Sequence, residues 1–270
     1  MLGYKNKVLE ILIKNKGVIY MKLTKDNYFQ DEYYMSTSKW KRFNQCEELG
    51  LVPFSSPTDA QLIGSYVDSW VEGTLDKFVE EHPQIISSRG ATKGQLKAGF
   101  KQADEIIEYM ENNPTIMQFL QDEKQVVMTG EIEGVPTKIM MDNYSKGIAI
   151  VDLKVMRTVT DRSGQYIDFI SQWGYQYQGA IYQEIVYQNT GERLPFFIVA
   201  VTKETPINSV IVEVPQEILD TSLEEIKSTI KRYYDIWKGE EQAVGCGVCS
   251  TCISKRLDTP LISMWDLMSI

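Results

Sequence analysis

The sequence has 270 residues, of which 43% are hydrophobic and 24% charged, a composition typical of a globular chain long enough to bury its own core. No run approaches the roughly 18 apolar residues of a membrane span. Lysines interrupt the apolar start, so we expect no signal peptide and a cytoplasmic location. The net charge of −9 argues against a protein that coats nucleic acid, but not against an enzyme whose acidic side chains bind metal ions.

The first part of the chain predicts an extension followed by helices. Residues 1–20 are expected to be an appended segment or helix, because Met21 opens a stretch that resembles a second start. Residues 21–270 are expected to form a single domain. Polar caps and apolar spacing predict helices over 36–49, 59–81 and 93–112.

The middle of the chain changes to a β pattern. Three short β-rich segments separated by glycines predict an antiparallel meander at 125–128, 137–141 and 148–154. A helix is then predicted over 172–188, strands over 194–202 and 209–214, and a long amphipathic helix over 216–238. This order predicts an α/β (α+β) fold with a central mixed β-sheet flanked by helices.

Two strands of the meander carry acidic residues. Asp142 is predicted to end one strand and Asp152 to lie near the end of the next, so pairing of the strands would bring both carboxylates together. Oxygen ligands of this kind suit Mg²⁺ or Mn²⁺. Lys154 shares the strand face of Asp152 and could orient or deprotonate a water that attacks a phosphodiester. Taken alone, an Asp-x-Lys strand end is more often a solvated edge.

Three sequence elements follow one another along the chain: Asp142, then Asp152-Leu153-Lys154, then Gln178-Gly-Ala-Ile-Tyr182. Together they resemble the PD-(D/E)XK nuclease superfamily in its RecB/RecE-type exonuclease branch. Gln178 and Tyr182 are i and i+4 on one helix face. The resemblance covers about residues 36–255. It implies a restriction-endonuclease-like core, a Mg²⁺-dependent deoxyribonuclease, and catalytic roles for Asp142, Asp152, Lys154, Gln178 and Tyr182.

The same resemblance extends to an early helix, where the family often has a histidine four residues after a glycine. Here Asp68 follows Gly64 at that spacing, and Glu72 lies one turn further. The implied metal ligands are therefore Asp142, Asp152 and the Leu153 carbonyl, with Asp68 or Glu72 completing the set. His82, the only histidine, is expected to be a solvated or capping residue at a helix end.

The four cysteines are Cys46, Cys246, Cys249 and Cys252. Without a secretion signal, this grouping predicts a metal or cluster site in place of disulfides. It is similar to the iron–sulfur staple of AddB-type and CRISPR-adaptation nucleases, which implies a [4Fe–4S] cluster. The short gap between Cys249 and Cys252 departs from those relatives, so a Zn²⁺ site and unligated thiols stay open as alternatives.

The function implied is a metal-dependent DNA exonuclease that acts on linear duplex ends in phage or prophage recombination or in end processing. An oligomer and a single-strand annealing protein are the further partners considered, and no membrane partner is expected. Candidate DNA contacts are Lys39, Trp40, Arg42 and Arg157. The main alternative is a catalytically silent module that binds nucleic acid or protein and retains the nuclease fold; an enzyme acting on RNA or a small phosphodiester would share the site.

Overall fold

The computed structural model describes residues 13–15, 18–20, 23–259, 261 and 263–267. Two strands near the start, β1 (Ile13–Asn15) and β2 (Val18–Tyr20), pair antiparallel in a small sheet of their own. For residues 1–20 the sequence predicts either an appended segment or a helix. The described part of this segment forms strands and no helix. The rest of that segment lies outside the described residues, and its separation from a domain over 21–270 stays a prediction.

The main sheet has six strands. They are β3 (Met35–Ser36), β4 (Glu123–Ile132), β5 (Val135–Ser145), β6 (Ala149–Met156), β7 (Phe196–Thr202) and β8 (Ser209–Glu213). β4, β5 and β6 form the predicted antiparallel meander, β6 and β7 run parallel, and β8 returns antiparallel. β3 pairs parallel with the first residues of β5, and β6 pairs with the last residues of β5 on the same side of that strand.

Helices flank this sheet, and several are shorter than the sequence predicts. They are α1 (Thr37–Gln45), α2 (Glu47–Leu51), α3 (Asp59–Val71), α4 (Leu75–Glu81), α5 (Ala98–Glu111), α6 (Pro114–Phe119), α7 (Phe169–Trp173), α8 (Tyr175–Thr190), α9 (Gln216–Lys238), α10 (Ser250–Ser254) and α11 (Met264–Leu267). The helix predicted over 36–49 divides at the extended residue Cys46, and the one over 59–81 divides near Gly73 at φ 71°. Left-handed Gly174 likewise separates α7 from α8.

Two apolar cores lie on the two faces of the sheet. Ile150 of β6 packs in the core that includes residues of α1, α8 and α9, whereas Val151 and Leu153 pack in the core that includes residues of α3 and α5. Because side chains alternate along a strand, Asp152 and Lys154 lie on the α8 side and Leu153 on the other, as predicted. The α/β fold with a mixed sheet and flanking helices is confirmed.

Candidate metal-binding active site

β5 and β6 separate at the two aspartates, and we call this point the carboxylate fork (Asp142 and Asp152). The ladder between the strands runs from the Ser145–Ala149 pair to the Asn143–Val151 pair and stops there. Just beyond it, Asp142 Oδ2 accepts a hydrogen bond from the Leu153 amide at 3.1 Å. A side chain thus replaces the lost strand partner. Asp142 lies within β5 and not at its end, but the convergence expected from the sequence is present.

Asp152 is the buried member of the fork. It is 1% exposed, and its Oδ1 accepts a hydrogen bond from Gln178 Nε2 at 2.6 Å. Its Oδ2 forms an ion pair with Lys154 but has no hydrogen-bond donor of good geometry. The Lys154 side chain is 23% exposed, so the fork opens to the surface beside it. A buried carboxylate oxygen left in this state is available to a cation.

The electrostatics of the fork also favour a cation. Burial and the adjacent Asp152 carboxylate raise the pKa of Asp142 well above its ordinary value. Burial alone would lower the pKa of Lys154, but the carboxylates of Asp152 and Asp142 raise it above its ordinary value. Two desolvated carboxylates that repel each other are stabilised by a proton or by a divalent ion. The donor set therefore fits Mg²⁺ or Mn²⁺.

Of the two candidate ligands on the early helix, Asp68 is the one that interacts electrostatically with Asp142, Asp152 and Lys154. Burial, partly opposed by Lys154 and assisted by Asp152, raises the pKa of Asp68 to about 7. Glu72 is instead ion-paired with Lys25 and accepts a hydrogen bond from Thr74 Oγ1 at 3.3 Å. Among the described residues, Asp68, Asp142 and Asp152 do not form a group of three carboxylates placed to hold one ion together. Asp68 therefore lies near the two fork aspartates without closing around the same point.

The glutamine and the tyrosine of α8 form hydrogen bonds with different strands at the fork. Gln178 holds Asp152 directly, as described above. Tyr182 is 7% exposed, and its hydroxyl donates to the Met140 carbonyl at 2.8 Å. This hydrogen bond fixes β5 two residues before Asp142. It differs from the role predicted from the sequence, in which Tyr182 orients a phosphate or Lys154.

The expected DNA contacts are only partly placed for that role. Trp40 is fully buried and donates to Thr229 Oγ1 at 3.2 Å, so its expected role in stacking on DNA is wrong. Lys39 lies over the Phe54 and Trp237 rings, and Arg42 donates to the Leu49 carbonyl at 3.0 Å. Both side chains are thus engaged within the fold. Arg157 is exposed directly after β6.

The sequence analysis missed three residues beside the fork. Lys41 Nζ lies 5.2 Å from the centroid of the Tyr175 ring, and Lys154 Nζ lies 5.4 Å from the same centroid. Lys41 also donates to the carbonyl of Trp173, whose side chain is 56% exposed. No local pattern could have indicated them, because α1 and the α7–α8 junction are distant in sequence and meet only through the fold.

The four cysteine sulfurs lie together just beyond the C-terminal end of α1, and their grouping is as predicted. The Sγ atoms of Cys46 and Cys252 are 3.6 Å apart, and those of Cys246 and Cys252 are 4.0 Å apart. All four sulfurs lie within 4.8 Å of one another. We call this group the cysteine cluster (Cys46, Cys246, Cys249 and Cys252).

The comparisons with known proteins agree with this geometry. The model of a family described as "PDDEXK-like domain of unknown function (DUF3799)" matches residues 36–255, and the chain belongs to that family. A crystal structure of a putative exonuclease from Eubacterium rectale is 41% identical with a TM-score of 0.81, covering 93% of this chain and 99% of that one. The chain is thus a PD-(D/E)XK-type protein, and these matches support a nuclease.

Other comparisons add little. A structure named SSO0001 is 13% identical with a TM-score of 0.30 over 83% of this chain and 99% of that one, which carries no argument. No curated protein matches the chain. Within the part of the chain that the structure describes, no helix has the length and apolar character needed to cross a bilayer.

Proposed function

We propose that this protein is a metal-dependent exonuclease that hydrolyses phosphodiester bonds at the ends of linear duplex DNA. The observation that carries the proposal is the carboxylate fork: two aspartates from adjacent strands meet a lysine at a partly open position of a PD-(D/E)XK fold. The similarity to a structure described as a putative exonuclease supports this choice of activity.

Asp142, Asp152 and the Leu153 carbonyl would hold Mg²⁺ or Mn²⁺, with Asp68 as a further ligand. A divalent ion at this position supplies a Lewis acid that offsets negative charge growing on the phosphate. The Gln178 amide fixes Asp152 by donating to Oδ1, which leaves Oδ2 to face the ion and Lys154. Gln178 is therefore a positioning residue in this proposal.

Lys154 would orient the attacking water. Its ammonium group is held by Asp152, donates to the Leu153 carbonyl at 3.3 Å and lies over the Tyr175 ring. In the reaction, the water gives up a proton to solvent as its oxygen bonds to phosphorus, the bond from phosphorus to the leaving ester oxygen breaks, and that oxygen takes up a proton from solvent. A cation at Lys154 stabilises the charge on the phosphate while this exchange takes place.

The DNA would approach over the side of the fork formed by Lys41 and Trp173, with Arg157, exposed directly after β6, as a further cation. Lys41 supplies a positive charge beside Lys154, and Trp173 offers an exposed indole on which a base at a duplex end can stack. These groups give an acidic protein a local cationic and aromatic surface next to the cleavage site. The setting of phage recombination or end processing, with an annealing protein or an oligomer, rests on the family resemblance alone.

The test is digestion of end-labelled linear duplex DNA, with covalently closed circular DNA beside it, in Mg²⁺ or Mn²⁺. We expect the wild type to release nucleotides from the linear substrate only, and Asp152→Asn and Lys154→Gln to release almost none. Lys227→Gln, a surface change on α9, is the matched control and should digest normally. Digestion that survives both fork variants would contradict the proposal.

A catalytically silent binding module is the second candidate. The aspartate at position 68, where the family often has histidine, and the net charge of −9 favour it. A protein that binds duplex DNA but releases no nucleotide with any divalent metal would establish this alternative.

A further inference from the structure

The size of the cysteine cluster distinguishes between the cofactors that four thiolates can hold. Zinc bonds thiolate sulfur at about 2.3 Å, so the edges of a tetrahedral site measure about 3.8 Å. In a [4Fe–4S] cluster each cysteine binds a different iron corner, so the cysteine sulfurs lie about 6 Å apart. The observed separations of 3.6 Å and 4.0 Å, with all sulfurs within 4.8 Å, match the smaller site. We propose that these cysteines bind one tetrahedral Zn²⁺ ion and no iron–sulfur cluster.

The backbone around the cysteine cluster is shaped for closely spaced sulfurs. The Cys249 amide donates to Cys246 Sγ at 3.3 Å, and the Cys246 amide donates to Cys46 Sγ at 3.5 Å. A Cβ atom on Gly245 would lie 3.0 Å from Cys252 Sγ, a contact tight enough that a side chain there would push the sulfur out of place. Gly247, at φ 76°, forms the turn between Cys246 and Cys249. The backbone therefore supports the sulfurs at the close spacing of the smaller site.

The charges near the cluster suit a dianionic site. Four thiolates around Zn²⁺ leave a net charge of −2. Lys255 is ion-paired with Glu48 and interacts electrostatically with the sulfurs of Cys252 and Cys46. Arg256 donates to the Gly247 carbonyl at 2.6 Å and places a second cation beside the turn.

The location of the cluster implies a structural role. Cys46 joins α1 to α2, and the other three cysteines follow α9, so the ion closes a loop of the chain between positions 206 residues apart. The same junction is held by Glu47, which accepts hydrogen bonds from Arg232 at 2.8 Å and 2.9 Å and from the Val244 amide at 2.7 Å. A four-thiolate site has no open position for substrate, so the zinc would fix α1 and the C-terminal segment and take no part in hydrolysis.

The direct test is metal analysis of the full-length protein, purified without oxygen and without a metal-binding tag. We expect about one zinc per chain, no iron, no acid-labile sulfide and no broad absorption near 400 nm. About four irons and four sulfides per chain would overturn the proposal, and so would a protein with neither metal. Because heterologous expression can load zinc into an iron–sulfur site, the apoprotein is also offered Fe²⁺ with sulfide in parallel with Zn²⁺. Stable uptake of zinc alone is the expected result, and formation of a stable cluster would contradict it.

Variants assign the metal to the cysteines. We expect Cys246→Ser, at an exposed ligand, to lower the zinc content at least severalfold, whereas Asp152→Asn should retain the full zinc content. Cobalt uptake gives a second readout that does not require a variant, because Co²⁺ bound by four thiolates absorbs strongly between about 600 and 750 nm. Absence of these bands in the cobalt-loaded wild type would contradict a tetrahedral thiolate site. Nuclease activity enters none of these measurements, so the zinc proposal and the exonuclease proposal can fail separately.

Discussion

The carboxylate fork and the cysteine cluster are both assembled from residues that repel one another, but the fold holds them in opposite ways. The fork joins two neighbouring strands within the sheet, and its aspartates are held by one side chain–backbone hydrogen bond, one glutamine and the ion pair with Lys154. The cysteine cluster joins the two ends of the family domain, and the Lys255–Glu48 ion pair, two amide–sulfur hydrogen bonds and the closely approaching Gly245 lie beside it. The fork aspartate Asp152 is buried beside a partly exposed lysine, whereas of the four cysteines Cys46 alone is buried.

Under the two proposals above, this difference separates a site for turnover from a site for stability. Oxygen ligands with an exposed side allow a weakly held ion and a substrate to share one position. Four sulfur ligands at tetrahedral spacing bind their ion tightly and leave no position for substrate. Each prediction below changes one of the two sites and asks whether the other is unaffected.

The largest effect is expected from Asp152→Asn. The substitution keeps the shape of the side chain but removes the charge that would hold the divalent ion, so the rate of DNA digestion should fall by about a thousandfold or more. The measurement is nucleotide release at saturating Mg²⁺, with zinc content as the control for the cysteine cluster. Undiminished digestion would exclude the fork as the active site.

Lys154→Gln should have the next largest effect. Loss of the ammonium removes both the partner of Asp152 and the group that would orient water, and a reduction of kcat by about a hundredfold is expected. KM for DNA should change much less than kcat. A variant in which KM rises while kcat is unchanged would show that Lys154 only binds DNA.

Cys46→Ser should lower stability more than it lowers the intrinsic rate. Because the cysteine cluster links distant parts of the chain, loss of one ligand should lower Tm by roughly 10 °C. Thermal unfolding with and without added Zn²⁺ measures this effect. Brief treatment of the wild type with EDTA should abolish digestion and leave Tm nearly unchanged, and a large fall in Tm with EDTA alone would contradict the contrast between a weakly held and a tightly held ion.

The smallest effect concerns Lys41 and depends on pH. Burial, followed by the neighbouring Lys154 cation, lowers the pKa of Lys41 to about 8. The side chain is therefore charged below that pH and neutral above it, so DNA affinity in EDTA should fall severalfold as the pH rises from 7 to 9. Lys41→Arg should bind DNA with little change over this range, because arginine stays protonated. Identical pH profiles for the two proteins would remove Lys41 from the DNA surface.

The sequence was most informative where neighbouring segments determine the structure. The meander, and with it the approach of Asp142 to Asp152, follows from alternating apolar residues and glycine turns between adjacent strands. The helix breaks at Cys46 and Gly73 were not predicted, because the apolar spacing continues through both positions. Cys46 has extended backbone at the break, and its sulfur lies in the cysteine cluster. Contacts with the distant C-terminal cysteines cannot be inferred from the helix propensity of the local sequence.

The candidate DNA contacts on α1 could not be assigned correctly from sequence. Four consecutive residues of α1 are cationic or aromatic: Lys39, Trp40, Lys41 and Arg42. From the sequence, each of these side chains is equally suited to contact DNA. Only the packing of α1 against α8 and α9 shows that Trp40 is buried and that Lys41 lies beside Tyr175. Which side of a helix faces a site depends on its neighbours, and those neighbours lie far away in the chain.

Binding of a divalent ion at the carboxylate fork is required for the proposed activity, and anomalous diffraction from crystals soaked in Mn²⁺ tests this binding directly. We predict a manganese peak within about 2.3 Å of an oxygen of Asp142 and of an oxygen of Asp152. A peak should be missing from Asp152→Asn crystals treated in the same way. Wild-type crystals in saturating Mn²⁺ that show no peak between these two aspartates would contradict the account.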